Sequence, residues 1–245
     1  MAKNLPKDVR EKIAHALGII GDDTAIAALI ATMQHDRSPD IRAAAAMALS
    51  WREGAMDVLI TALGDESPLV RAAAATALSC KYYETSSAEF AIVVSALAGA
   101  MLNERSIAVR KLIVEALGRQ GGAIAANAAM RALAHDRSAR VRAAAASVLG
   151  GIGDVHKNIT VEALIKAMSR DTSPRVRAAA ALALSRFANE KVFDVHAIVD
   201  ALADSLHRDS SISVQKAAVT SLKLLRASNV LASALVSTYK EVKNE

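Results

Sequence analysis

Residues 173–185 read Ser-Pro-Arg-Val-Arg-Ala-Ala-Ala-Ala-Leu-Ala-Leu-Ser, and the stretch returns as SPDIRAAAAMALS at 38–50, SPLVRAAAATALS at 67–79 and SARVRAAAASVLG at 138–150. Looser copies read PKDVREKIAHALG (6–18), SIAVRKLIVEALG (106–118) and SISVQKAAVTSLK (211–223). Seven copies of one helix-sized unit, spaced 29 to 39 residues apart, identify a repeat architecture in which no unit buries its apolar face alone.

The unit is best read from its Arg column: Arg10, Arg42, Arg71, Arg110, Arg142 and Arg177, with Gln215 in the seventh copy. Four residues earlier stands a Ser in six copies, whose oxygen is expected to accept from the free N–H groups of a starting helix. Pro39, Pro68 and Pro174 follow it, at the first helical position, where a missing N–H costs nothing. The residue before the Arg is Val or Ile in every copy, and seven residues after it comes Leu17, Leu49, Leu78, Leu117, Leu149, Leu184 or Leu222. This spacing puts both apolar residues on one helical face. Ala fills the positions between them, a strong helix former whose small side chain lets helices approach closely.

Six residues before the Arg position comes an acid in six copies: Asp36, Asp65, Glu104, Asp136, Asp171 and Asp209, with Asn4 in the first. A row of catalytic carboxylates would explain the acids, but chemistry needs one site and not several equivalent ones. The pattern instead predicts a structural ladder, each acid tying an inter-helix turn to an Arg of its own or the next layer through the planar guanidinium fork.

Between the repeated helices the spacing predicts partner helices at about 24–35, 54–64, 88–103, 122–135, 159–169, 195–207 and 229–242. They carry apolar residues at helical intervals, as in Ile26, Leu29, Ile30 and Met33, or Val161, Leu164, Ile165 and Met168. A helix pair per repeat predicts an all-α chain, an α-solenoid forming one domain over 1–245, with no strands. The chain opens on a repeated helix and closes on a partner helix, so either a leading helix is missing or the terminal helices act as caps. Helix pairs with Asp in the turn, Val-Arg opening the second helix and Ala-x-x-Leu-Gly closing it resemble HEAT repeats, of the short subtype named after phycobilisome lyases. The resemblance covers essentially the whole chain. It implies a right-handed superhelix of about seven helix pairs whose second helices line the concave face. Function does not follow, because that family contains scaffolds, lyase subunits, hydroxylases and glycosylases.

The 245 residues are 53% hydrophobic, much of it Ala, and only 3% aromatic, which suits thin helix-on-helix packing. The single Cys80 rules out an internal disulfide and a cysteine zinc cluster. A charged N-terminus and the lack of a long apolar run predict a soluble, cytoplasmic protein. No His is followed by Glu, as the iron-holding motifs of deoxyhypusine hydroxylases require, and one Trp falls short of the cleft of HEAT-like alkylpurine glycosylases. His35 and His135 occupy the same repeat position and read as helix-end residues. Gly150, Gly151 and Gly153 follow a helix, not a strand, and read as a helix stop.

No catalytic, cofactor or metal site emerges, and the expected function is a non-enzymatic, protein-binding scaffold that uses its concave face and edge loops. The concave face is expected from positions two before and one, five and eight after the Arg. It is acidic at its beginning (Asp8, Glu11, Asp40) and basic at its end, with Arg140, Arg175, Lys216 and Lys223 beside the small residues Ala143, Ser147, Ala178 and Ser185. Charge by halves agrees: residues 1–122 hold 13 Lys and Arg against 14 Asp and Glu, and residues 123–245 hold 17 against 11. The favoured partner is an acidic protein segment. The alternatives are nucleic acid on the basic C-terminal half, or a phycobilin lyase-like subunit. Three connections, 80–88, 151–160 and 187–195, run longer than the rest and are candidates for recognition. Tyr82 and Tyr83 in the first of them, with Trp51, complete the candidate partner-binding residues.

Overall fold

In a computed structural model, residues 5–80, 87–152, 157–187, 195–227 and 231 are described. They form thirteen α-helices and no strand, as an α-solenoid requires. The chain divides into two compact units, unit 1 over Met1–Ala125 and unit 2 over Ala126–Glu245.

Unit 1 holds α1 (Lys7–Ile20), α2 (Asp23–His35), α3 (Pro39–Ala48), α4 (Met56–Ala62), α5 (Pro68–Cys80), α6 (Ala88–Asn103) and α7 (Ile107–Gln120). Next comes α8 (Gly122–His135), most of which belongs to unit 2. Unit 2 continues with α9 (Ala139–Leu149), α10 (Lys157–Arg170), α11 (Pro174–Leu184) with a 3-10 turn at Ser185–Phe187, α12 (Val195–Arg208) and α13 (Ile212–Leu224). The odd-numbered helices are the seven repeated stretches, and the even-numbered ones are the expected partners. The helix expected at 229–242 and the tyrosines Tyr82 and Tyr83 lie outside the described residues.

Within each unit the odd-numbered helices pack side by side, α1–α3–α5–α7 in one and α9–α11–α13 in the other, while the even-numbered helices touch each other far less. Alanine makes the close approach possible. The Val/Ile and Leu columns are fully buried in α3, α5, α9, α11 and α13, each Leu contributing roughly 1.5–3 kcal/mol. Between those columns, the third and fourth residues after the Arg point at different neighbours. In α1, Ala14 is buried and Ile13 is 42% exposed; in α13, Ala218 is buried and Val219 is 40% exposed. Helices with a neighbour on both sides within a unit bury both positions, as Ala45 and Ala46, Ala74 and Ala75, or Ala180 and Ala181 show. The third residue therefore faces the preceding odd-numbered helix and the fourth the following one.

Glycine serves the same contact. A Cβ on Gly150 would lie 2.9 Å from the Cα of Ala183, and one on Gly18 would lie 2.8 Å from the Cβ of Ala48. Gly150 does cap α9, as the sequence predicted, but in ordinary right-handed geometry (φ −68°). Close packing, and not a left-handed turn, is what excludes a side chain there.

Candidate partner-binding face

The face is built on the ladder. Arg42, Arg71, Arg142 and Arg177 each use the guanidinium twice. Nη1 donates to the backbone carbonyl of the acid in its own turn: Arg42 to Asp36 (3.0 Å), Arg71 to Asp65 (2.8 Å), Arg142 to Asp136 (2.9 Å) and Arg177 to Asp171 (2.9 Å). Nε and Nη2 donate as a fork to the carboxylate of the next turn: Arg42 to Asp65, Arg71 to Glu104, Arg142 to Asp171 and Arg177 to Asp209, at 2.6–3.0 Å. Both readings of the ladder, own layer and next layer, are thus realised by one side chain. Gln215 keeps only the first half, donating to the Asp209 carbonyl at 2.9 Å.

The same carboxylates organise the turns. One oxygen of Asp36, Asp65, Glu104, Asp136, Asp171 or Asp209 accepts the backbone N–H of the Ser two residues on, at 2.7–2.9 Å. This corrects the role expected of the serines in half of the copies. Ser38, Ser173 and Ser211 make no side-chain cap, while the Ser67, Ser106 and Ser138 hydroxyls each accept a backbone N–H of the first turn, at 3.3–3.4 Å. The acid fixes the turn, and the Ser backbone carbonyl starts the helix by accepting from the residue four ahead, as Ser38 does from Arg42 at 3.0 Å.

The electrostatics follow. The Arg71 fork holds the Glu104 carboxyl below its ordinary range against the opposing effect of burial, and the Arg177 fork does the same for Asp209. For Asp65 and Asp171 burial is the largest influence and pushes the carboxyl up. The forks of Arg42 and Arg142, with the Ser67 and Ser173 N–H groups, outweigh it and leave both low. These carboxylates are committed to structure.

With the ladder Arg drawn to the turns, the remaining charges of the odd-numbered helices face solvent. In unit 2, Arg140, Arg175, Lys216 and Lys223 are all exposed. None makes an ion pair or a side-chain hydrogen bond among the described residues. Arg186, in the 3-10 turn after α11, joins them. Across 139–149, 174–187 and 212–224 there is no Asp or Glu. The position eight after the Arg departs from expectation: Ser185 is buried, as are Ser50 and Ser79 in unit 1. Their hydroxyls turn back to the carbonyl three residues earlier at 2.7 Å, because that last turn leans on the adjoining helix. Ala143 is buried too. The residue nine after the Arg emerges instead, as Arg186 and Leu224 in unit 2 and Ile19 and Trp51 in unit 1. A sequence reading that continues the helical register one residue further finds it.

Trp51 is 67% exposed at φ 70°, left-handed backbone that is unusual for a bulky residue. The next residue anchors it: the Arg52 guanidinium donates to the Gly18 carbonyl at the end of α1 and lies where a Cβ on Gly21 would stand. His35 and His135 close α2 and α8, as expected of helix-end residues. Among the described residues there is no His, Cys, Asp and Glu cluster able to hold a metal, and no helix long and apolar enough to cross a membrane.

Comparison with known proteins agrees on architecture. Family models described as HEAT repeats match residues 2–50, 94–184 and 156–223, and a HEAT repeat model matches 55–80. No curated protein matches the sequence. Among solved structures, the chain is similar to YibA of E. coli, with 21% identity over 97% of this chain and 81% of that one and a TM-score of 0.62. It is also similar to an archaeal HEAT-like repeats protein from Thermococcus onnurineus NA1 (13% identity, 92% and 98% coverage, TM-score 0.60). A third is the complex of CpcE and CpcF of phycocyanin lyase from Nostoc sp. PCC7120 (23% identity, 68% and 97% coverage, TM-score 0.55). At these identities the likeness is one of fold.

Proposed function

The chain belongs to the HEAT-repeat family, and on that premise we propose that it is a non-enzymatic scaffold that binds an acidic protein segment in the cytoplasm. The observation that carries this reading is the set of five exposed cations of unit 2, which make no ion pair among the described residues; the three odd-numbered helices of that unit hold no carboxylate. Unpaired surface cations give an association that is steered by charge and weakened by salt. Within each unit the repeat architecture supplies rigidity, since ladder forks such as Arg142 to Asp171 and Arg177 to Asp209 and close Ala contacts tie neighbouring layers together. A face held in fixed geometry loses little freedom on binding.

Nucleic acid is the competing partner for a cationic surface. It is disfavoured here because the three helices offer no exposed aromatic ring for a base to stack on; Phe187 is buried. The deciding experiment measures anisotropy of a labelled poly-glutamate peptide and of a labelled single-stranded oligonucleotide at matched charge. The scaffold reading expects tighter binding of the peptide. Preference for the oligonucleotide overturns it, and visible absorbance from a bilin on the purified protein would favour the lyase-like reading.

A further inference from the structure

An open groove of about 600 Å³ lies at the C-terminal end of α11 in unit 2. Leu182, Leu224, Ala179, Ala183, Ser147 and Arg186 line it. The Ser147 hydroxyl donates to the Ala143 carbonyl (3.1 Å) and that of Ser185 to the Leu182 carbonyl (2.7 Å), so neither offers a proton to the groove. Leu182 is 45% exposed and Leu224 is 58% exposed. Two leucines on neighbouring helices thus border one concavity, with Arg186 in its wall and Lys223 next to Leu224 in sequence.

Resting on the acidic-segment reading above, we propose that this groove receives apolar side chains of that segment, so that the ligand is an acidic peptide with an apolar anchor. Charge alone cannot fix register on a smooth Ala-rich face, because exposed cations attract any anion at similar cost. A buried apolar anchor ringed by complementary charge gives both affinity and position, the arrangement usual at the centre of protein interfaces. Arg186 in the groove wall and Lys223 beside Leu224 in sequence make no ion pair among the described residues, so acidic residues flanking the anchor would meet unpaired cations there.

The test uses the full chain and two labelled twelve-residue peptides, each ten Glu around a central pair, Leu-Leu in one and Ser-Ser in the other. The Leu peptide is expected to bind roughly tenfold or more tightly than the Ser peptide, in line with burial of leucine side chains. The exposed pair Leu182→Ser and Leu224→Ser, changed together, should bring the Leu peptide to the level of the Ser peptide without changing Tm. Equal, salt-sensitive binding of both peptides by the parent refutes the groove and leaves the cationic face standing. Binding of neither refutes both. A Leu preference that survives in the double variant, or equal affinity for an uncharged peptide with the same Leu pair, places the anchor elsewhere and also overturns the proposal.

Discussion

In unit 1 the charges of the odd-numbered helices outside the ladder are Lys7, Lys12, Lys111 and Arg119 against Asp8, Glu11, Asp40 and Glu115. In unit 2 they are Arg140, Arg175, Lys216 and Lys223, against none. The first set is balanced in sign and partly paired: Lys7 donates to Asp40 at 2.5 Å and Lys111 to Glu115 at 2.6 Å, while Arg119 donates to the neutral Ser79 hydroxyl. The second set makes no ion pair among the described residues. Both sets stand on the same Val–Arg–Ala–Leu framework, so the framework does not choose between them. Positions that the fold leaves free are filled with matched charge in one unit and with unmatched charge in the other. An unmatched cationic face repels itself in the unbound protein, which makes it the region where a partner has most to contribute.

If the framework is shared and only the surface differs, ladder substitutions should hurt both units while surface substitutions hurt neither. The largest effect is expected for Asp171→Ala, which strands the Arg142 fork and the Ser173 N–H. A loss of about 2–4 kcal/mol in chemical denaturation is expected for such a largely buried pair, and Glu104→Ala in unit 1 should match it. A large loss in one unit only would break the equivalence. Next comes Gly150→Ala, whose Cβ must displace backbone at Ala183, at about 1–3 kcal/mol. Gly18→Ala should cost less, because the nearest obstacle is the Ala48 methyl.

Acid should act on the ladder in both units. The carboxyls of Asp65, Glu104, Asp171 and Asp209 are held low in the folded chain, against about 4 when unfolded. Their contribution is complete above that value and is lost as pH falls through the lower folded values. Tm should hold steady from about pH 8 to pH 5 and drop below about pH 4. A Tm that already falls between pH 7 and pH 5 would contradict the assignment. The smallest effect is expected for Lys7→Ala, since the Lys7–Asp40 pair is exposed on both sides and should leave Tm unchanged.

The sequence made the framework legible because each of its parts repeats. One Val–Arg–Leu register could be chance, and six of them with a seventh that has Gln215 in place of the Arg are a fold. The direction of the ladder was not legible, since spacing alone brings each acid near two layers and only the rise between helices decides which accepts the fork. The cations Arg140, Arg175, Lys216 and Lys223 could be placed by helical angle alone. Ser185, Ala143, Leu224 and Arg186 could not. Their exposure depends on how the last turn of one helix leans on its neighbour, which a helical wheel does not contain. The serines before the odd-numbered helices were legible only in part: Ser67, Ser106 and Ser138 accept a first-turn N–H, and Ser38, Ser173 and Ser211 leave the turn to the carboxylate two residues earlier.

The central claim is that the unmatched cations of unit 2 are a binding surface and not a solubilising coat. The direct measurement is the affinity of a labelled poly-glutamate peptide across a salt series, for the parent and for Arg140→Glu with Arg175→Glu. The account predicts affinity that falls steeply with salt, roughly tenfold or greater weakening by the double reversal at low salt, and a Tm within error of the parent. Equal binding by parent and double variant would contradict it.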